Sequence, residues 1–132
     1  MLTEADLGNF NGTDGYTRLG FPFRNVVLTD GALHVAEHGG TNGAFWLMQA
    51  VASHLPAVLR KGGERACFQL WRLSVHEDKS ALLTCQLDTG EPLLAQQRIE
   101  YTDFDVPDFK LYVGQQPSEN GTLWVIMLPS EY

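Results

Sequence analysis

The sequence has few cysteines and no long apolar run, and each shortage excludes a class of protein. It contains two cysteines in 132 residues, Cys67 and Cys85, which are too few for a disulfide scaffold. The apolar run at residues 44–52 is interrupted by Gln49 and is far shorter than the ~20 residues of a membrane span. The first residues are acidic and lack the apolar segment of a signal peptide. We therefore expect a cytoplasmic protein without a membrane segment.

Basic residues are also scarce, since 9 of them stand against 16 acidic residues and give a formal net charge of −7 at pH 7. A field of this sign repels phosphate backbones, so we expect no general binding of nucleic acid. It favours a protein partner that carries a basic patch. The hydrophobic content of 44 % excludes a disordered chain. We expect a single domain over residues 1–132.

The second half of the sequence alternates apolar and polar residues, which predicts strands. The expected strands are residues 67–75, 81–87, 93–101, 110–113 and 123–128. Because short polar turns separate the first three, we expect an antiparallel sheet of about four to five strands in the C-terminal half. In this register Trp71 lies opposite Cys85, and Cys67 and Cys85 both face the core. A further possible strand is the apolar triplet at residues 26–28.

The first half predicts helices. Thr3 is a candidate N-cap of a short helix, and Thr29 is placed to cap a second helix over residues 32–38. A longer helix is expected to open at Thr41 and to kink or end near Leu55, because Pro56 removes a backbone donor. Its apolar stripe consists of Leu47, Val51, Leu55 and Val58. The predicted fold class is α+β, with these N-terminal helices packed on one face of the sheet.

Six short segments form a pattern that extends over most of the chain from Thr29 onward. They are residues 29–31 (TDG), 36–40 (AEHGG), 45–47 (FWL), 83–85 (LTC), 99–104 (IEYTDF) and 127–132 (MLPSEY). Together they resemble a family of small bacterial proteins of unknown function, associated with phages, plasmids and other mobile elements. The resemblance implies one small domain and assigns no activity, cofactor or catalytic residue.

One motif matches a metal site, because His34, Glu37 and His38 follow the pattern H-x-x-E-H. On a helix, His34 and His38 lie one turn apart and can share a metal ion, with Glu37 as a base. A third protein ligand would have to come from elsewhere in the chain. The alternative is a pair of surface histidines, in which His38 is favourable as a cation near the helix C-terminus. We expect no cofactor, and a metal-dependent enzyme or metalloprotein is the alternative hypothesis.

Two other segments suggest binding. Residues 38–43 (HGGTNG) precede a helix, where backbone amides either hold a phosphate or carboxylate or simply form a tight turn between helices. Farther along lies an acidic stretch, which either binds a divalent cation through Asp103 and Asp105 or is a solvated loop. In the second case the stretch can form part of an interaction surface. Its residues are Glu100, Asp103, Asp105 and Asp108.

Two aromatic segments remain. Residues 21–23 (FPF) either pack on the sheet or form an exposed contact. Residues 129–132 (PSEY) follow an apolar strand, and we expect them to dock, either to stabilise the fold or to form a partner surface. The favoured function is binding of a protein, without catalysis. A homodimeric structural module is a further alternative, with an exposed strand or the aromatic loop as its interface.

Overall fold

A computed structural model describes residues 2–119 and 121–132, and in this part of the chain seven strands form one mixed sheet. The strand order is β1-β2-β7-β6-β3-β4-β5. The elements are α1 (Glu4–Gly8), β1 (Thr17–Gly20), β2 (Phe23–Leu28), α2 (Asp30–His38), α3 (Phe45–Gly62), a 3₁₀ turn (Gly63–Cys67), β3 (Phe68–Val75), β4 (Ala81–Gln86), β5 (Leu93–Ile99), β6 (Asp108–Ser118), β7 (Gly121–Met127) and a second 3₁₀ turn (Pro129–Glu131). No helix of the described residues is long and apolar enough to cross a membrane.

The α+β class is confirmed, but the expected antiparallel sheet of four to five strands is too small. Two strands come from the N-terminal half, and β2 runs parallel to β7, with Val26 beside Trp124 and Leu28 beside Ile126. The strand β1 was missed because it is short, largely exposed and ends at Gly20, so it carries no apolar alternation. The parallel pairing joins residues that are about a hundred positions apart, and local patterns carry no information on such a contact.

The helices follow the predicted caps but not all predicted bounds. The hydroxyl of Thr3 accepts from the amide of Asp6 at 3.1 Å, and that of Thr29 accepts from Ala32 at 3.2 Å. Helix α3 begins at Phe45 and not at Thr41. The helix does not end near Leu55, which was one of the two expected effects of Pro56, because α3 continues through Pro56 to Gly62. The other effect, a kink at this point, stays a prediction. The proline is exposed, and buried side chains on both sides of it, from Leu55 and Val58, hold the helix on the core.

The core lies between the sheet and the helices α2 and α3, which cover one of its faces. All four residues of the predicted α3 stripe are buried, and they belong to the same cluster as Trp71 and Leu83 of the sheet. One polar side chain, Gln69, is fully buried among them. It donates to the carbonyl of Ala66 at 2.9 Å and accepts from the indole of Trp71 at 2.9 Å. Both ends of the buried amide are thereby satisfied.

Helix α2 begins against the docked segment Pro129–Tyr132. The carboxylate of Glu131 accepts from the hydroxyl of Thr29 at 2.6 Å and from the amide of Gly31 at 3.0 Å. A carboxylate in this position meets unpaired amides and the positive end of the helix dipole. The expectation that this segment docks is confirmed. Its hydrogen bonds join the TDG segment (residues 29–31) to the MLPSEY segment (residues 127–132).

The two cysteines lie in different environments. Trp71 pairs with Cys85 as predicted, and burial raises the pKa of the Cys85 thiol to about 12. Cys67 is exposed, which contradicts the prediction that it faces the core. Because the regular strand begins only at Phe68, the alternation of β3 does not extend back to Cys67.

The Glu131 contact predicts the effect of adding one methyl group to the chain. In Gly31→Ala the new Cβ would lie 2.5 Å from Glu131 Oε1 and 2.7 Å from Leu128 Cδ1, so both side chains have to shift and the hydrogen bonds of Glu131 are disturbed. We expect the free energy of unfolding, measured by urea denaturation, to fall by about 1–3 kcal/mol, as for other overpacked sites. The matched control is Gly8→Ala in α1, whose Cβ meets no atom within 4 Å and which should leave stability equal or slightly higher. Equal stabilities of the two variants would contradict the role of the Glu131 contact.

The cysteine environments predict selective thiol chemistry. In the native protein, a thiol reagent such as iodoacetamide should modify Cys67, because it is exposed. Cys85 should react only after denaturation, because its thiol is buried and stays protonated at neutral pH. Peptide mapping of the labelled chain measures both sites. Rapid labelling of Cys85 in native protein would contradict the described core.

Candidate functional site

The two histidines of the predicted metal motif lie side by side on α2. Their ring centroids are 4.5 Å apart, and the ring of Phe10 lies 5.1 Å from that of His34. The helix extends to His38, as the metal hypothesis requires. Within residues 2–119 and 121–132, however, no group of three or more His, Cys, Asp or Glu side chains is placed to hold a metal ion. The structure therefore places two of the proposed metal ligands, His34 and His38, next to each other. The metal site stays a prediction.

The glycine-rich turn between α2 and α3 holds carboxylates of the same chain. The amide of Gly40 donates to Asp105 at 3.0 Å, and the amide of Thr41 donates to Asp103 at 2.8 Å. Asp105 also accepts from the amide of Leu2 at 2.9 Å. Hydrogen bonding with Thr41 lowers the pKa of Asp103 below its usual value. One prediction placed a phosphate or carboxylate at this turn, and the carboxylates found there belong to Asp103 and Asp105 of the same chain. The other prediction, a tight turn between two helices, also describes this segment.

The remaining residues of the predicted acidic surface differ in their contacts. Asp108 forms a two-bond ion pair with Arg72, with N···O distances of 2.7 Å and 3.0 Å. This pairing lowers the pKa of Asp108 and raises that of Arg72. Glu100 is exposed. Three of the four carboxylates predicted as an interaction surface therefore already have partners within the chain.

The sheet face opposite α2 and α3 carries an apolar surface that the sequence analysis did not identify. We call it the helix-free face. Its side chains alternate with core residues along each strand, as the register shows for Leu70 opposite Tyr112 between β3 and β6. Its apolar and charged members on the strands are Arg18, Val27, Phe68, Leu70, Arg72, Leu82, Arg98, Asp108, Lys110, Tyr112, Leu123, Val125 and Met127. The same face also carries the polar side chains of Ser74, Thr84, Gln96 and Gln116.

Aromatic rings form the centre of this face. The ring of Phe68 lies 5.0 Å from that of Tyr112 and 4.7 Å from that of Tyr132, and the two tyrosine rings meet edge to face. Such pairs are individually favourable. Tyr132 is nevertheless 80 % exposed. Beside the three rings lies a cavity of about 310 Å³, lined among others by Tyr16 and Met127.

Four of the nine basic residues of this acidic chain lie on the helix-free face. The four are Arg18, Arg72, Arg98 and Lys110. The carboxylate of Asp108 binds Arg72 and also attracts Lys110, and the carboxylate of Asp78 attracts Arg98. Because the net charge is −7, the excess of acidic residues lies on the other surfaces of the molecule.

One sequence signal could have identified this face. The last five residues of β7 and the residue after it form an unbroken run of six apolar residues, from Leu123 to Leu128. A strand with one face in water alternates, whereas an unbroken apolar run is typical of burial on both faces. In agreement, Val125 is only 3 % exposed although it points away from the helices.

The aromatic segment at residues 21–23 was expected either to pack on the sheet or to be exposed, and its two phenylalanines differ in this respect. Phe21 is 86 % exposed, so it is available for contact with another molecule. Phe23 is partly buried and packs against the core cluster. The loop therefore offers one exposed ring, at the end of the sheet near edge strand β1.

Comparisons with known proteins give one match. No curated protein and no solved structure matches the chain. The bacterial and mobile-element origin implied by the resemblance therefore stays a prediction. The model of a protein family, DUF6876, matches residues 1–132 and is described as a family of unknown function. This agrees with the resemblance seen in the sequence, and the chain belongs to the DUF6876 family.

Proposed function

We propose that this protein acts by binding another protein through its helix-free face, without catalysis of its own. The observation that carries the proposal is the set of apolar and aromatic side chains on a sheet face without a covering helix. Phe68, Leu70 and Tyr112 of this set are only partly buried. Contiguous apolar patches of this kind mark interaction sites on monomeric proteins.

The composition of the face supports a protein as its ligand. The centres of protein interfaces are enriched in aromatic residues, Met and Arg, and depleted of Lys, Glu and Asp. The helix-free face has Phe68, Tyr112, Met127 and Arg72 near its middle, and the charged side chains of Lys110 and Asp108 lie beside them. Rigid rings that already pack against one another lose little conformational entropy when a partner binds.

The cytoplasm is the proposed location. Cys67 and Cys85 are both free thiols, and free thiols persist in reducing compartments. A second copy of the chain is one possible partner, as in the homodimeric alternative. The partner with a basic patch, expected from the net charge, would have to meet the acidic surfaces outside the helix-free face.

Site-specific photocrosslinking in the cells that produce the protein tests this function. A photoreactive phenylalanine at Tyr112 lies on the helix-free face, and the same group at Phe45 lies on α3, where the ring is 42 % exposed. We expect a discrete protein adduct from position 112 and none from position 45. Adducts from position 45 alone, or from neither position, would contradict the proposed function.

The metalloprotein alternative has its own test, motivated by the 4.5 Å separation of the rings of His34 and His38. Native mass spectrometry of the untagged protein after incubation with Zn²⁺ measures metal per chain. Because three protein ligands are usual in a catalytic zinc site, we expect no stoichiometric zinc after buffer exchange. One zinc per chain, lost in the variant with His34→Ala and His38→Ala, would support the metal site over protein binding.

A further inference from the structure

We propose that Asn11 is a site of covalent self-modification, at which the side-chain amide is converted to an acid, and that the fold protects the equivalent site at Asn42. Both asparagines precede a glycine, Gly12 and Gly43, and both are exposed. By sequence and exposure the two pairs are therefore alike. A third pair begins at Asn120, which lies outside the described residues. The modification is independent of the proposed function.

The reaction is a deamidation, which needs only water and a backbone that can rotate. The backbone nitrogen of the glycine attacks the side-chain carbonyl carbon of the asparagine and closes a succinimide ring, while the side-chain nitrogen leaves as ammonia and takes the amide proton with it. Water then opens the ring at either carbonyl and gives aspartate or isoaspartate. Asparagine belongs to the thermolabile residues of proteins for this reason, and a following glycine has no Cβ to restrict the rotation or hinder the attack.

The backbone at Asn11 is free to reach the reactive geometry. Asn11 and Gly12 lie in an exposed bend after helix α1. The next point of attachment is Thr13, whose hydroxyl accepts from the amide of Asp30 at 3.0 Å. Within the part of the chain that the structure describes, the Gly12 amide donates no hydrogen bond. A Cβ placed on Gly12 would also meet no atom within 4 Å, so the attacking nitrogen has open space around it.

The backbone at Asn42 is held on both sides. Before it, the amide of Thr41 donates to an aspartate carboxylate at 2.8 Å. After it, the amide of Ala44 donates to the carbonyl of Ala36 at 2.7 Å. Between these bonds, Gly43 packs so closely on the end of α2 that a Cβ there would lie 2.7 Å from the same carbonyl. Closing the ring rotates this backbone, so the turn has to open before the reaction can proceed.

The two modifications also differ in what they would do to the fold. An aspartate at position 11 makes the net charge of −7 one unit more negative and leaves the hydrogen bonds of the helices intact. A new carboxylate at position 42 would lie beside the turn that Asp103 and Asp105 already hold, where like charges repel. Isoaspartate would in addition lengthen the main chain between Thr41 and Ala44. The protected site is thus the one at which modification would disturb the structure.

Peptide mapping of aged protein tests the proposal. The purified full chain is kept at mildly alkaline pH, and the acid form at each asparagine is quantified by mass spectrometry over time. We expect Asn11 to convert about tenfold faster than Asn42 or more, because the small population of the open turn limits the second reaction. The matched control is the same chain unfolded in urea, in which the two rates should become similar. Equal rates in the native protein, or faster conversion at Asn42, would overturn the proposal.

Two variants test the two halves of the proposal separately. Gly12→Ala should slow the conversion of Asn11 and leave the thermal unfolding temperature unchanged, because its Cβ meets open space. Asp103→Ala removes the acceptor of the Thr41 amide and should speed the conversion of Asn42 alone, with thermal unfolding confirming that the variant is folded. An unchanged rate at Asn11 in the first variant would overturn the attack by the Gly12 nitrogen. An unchanged rate at Asn42 in the second would overturn its protection by the turn.

Discussion

Carboxylates from distant parts of the chain accept hydrogen bonds at both ends of helix α2, which packs against the parallel strands β2 and β7. Glu131 accepts from Gly31 at the start of the helix, and Asp105 accepts from Gly40 just beyond its end. Hydrogen bonds from amides to ionised carboxylates are among the stronger ones in proteins. A helix of nine residues is marginal by itself, so these contacts and its buried face hold it in place. Val35 on the inner side of this helix is fully buried in the core cluster.

These contacts account for the most distinctive sequence segments. The TDG segment meets MLPSEY through Gly31 and Glu131, and the AEHGG segment meets the acidic stretch through Gly40 and Asp105. Residue types that suggest an anion site or a cation site therefore form hydrogen bonds with each other inside the fold. The surface that we propose for function is the helix-free face, where aromatic, aliphatic and charged side chains occur together.

Local patterns predicted those features that depend on neighbours in sequence. Thr29 caps α2 because its hydroxyl reaches an amide three residues on, and Trp71 lies opposite Cys85 because a short turn sets the register. The parallel pairing of Val26 with Trp124 joins remote segments and leaves no local periodicity. The helix-free face was missed for a related reason. Alternation along one strand assigns one face to the core, whereas the second surface exists only because separate strands bring Leu70 and Tyr112 side by side.

Hydroxyl-radical footprinting of the side chains would test binding through the helix-free face most directly, because it reports which face of the sheet a partner covers. The protein would be oxidised in purified form and in its native complex, and modification of each residue would be quantified by mass spectrometry. We expect protection of Phe68, Tyr112 and Met127 in the complex, with the exposed ring of Phe45 on α3 unchanged. Protection of Phe45 with unaltered oxidation of Tyr112 would contradict binding through this face, and would place the interaction on the helical side of the molecule.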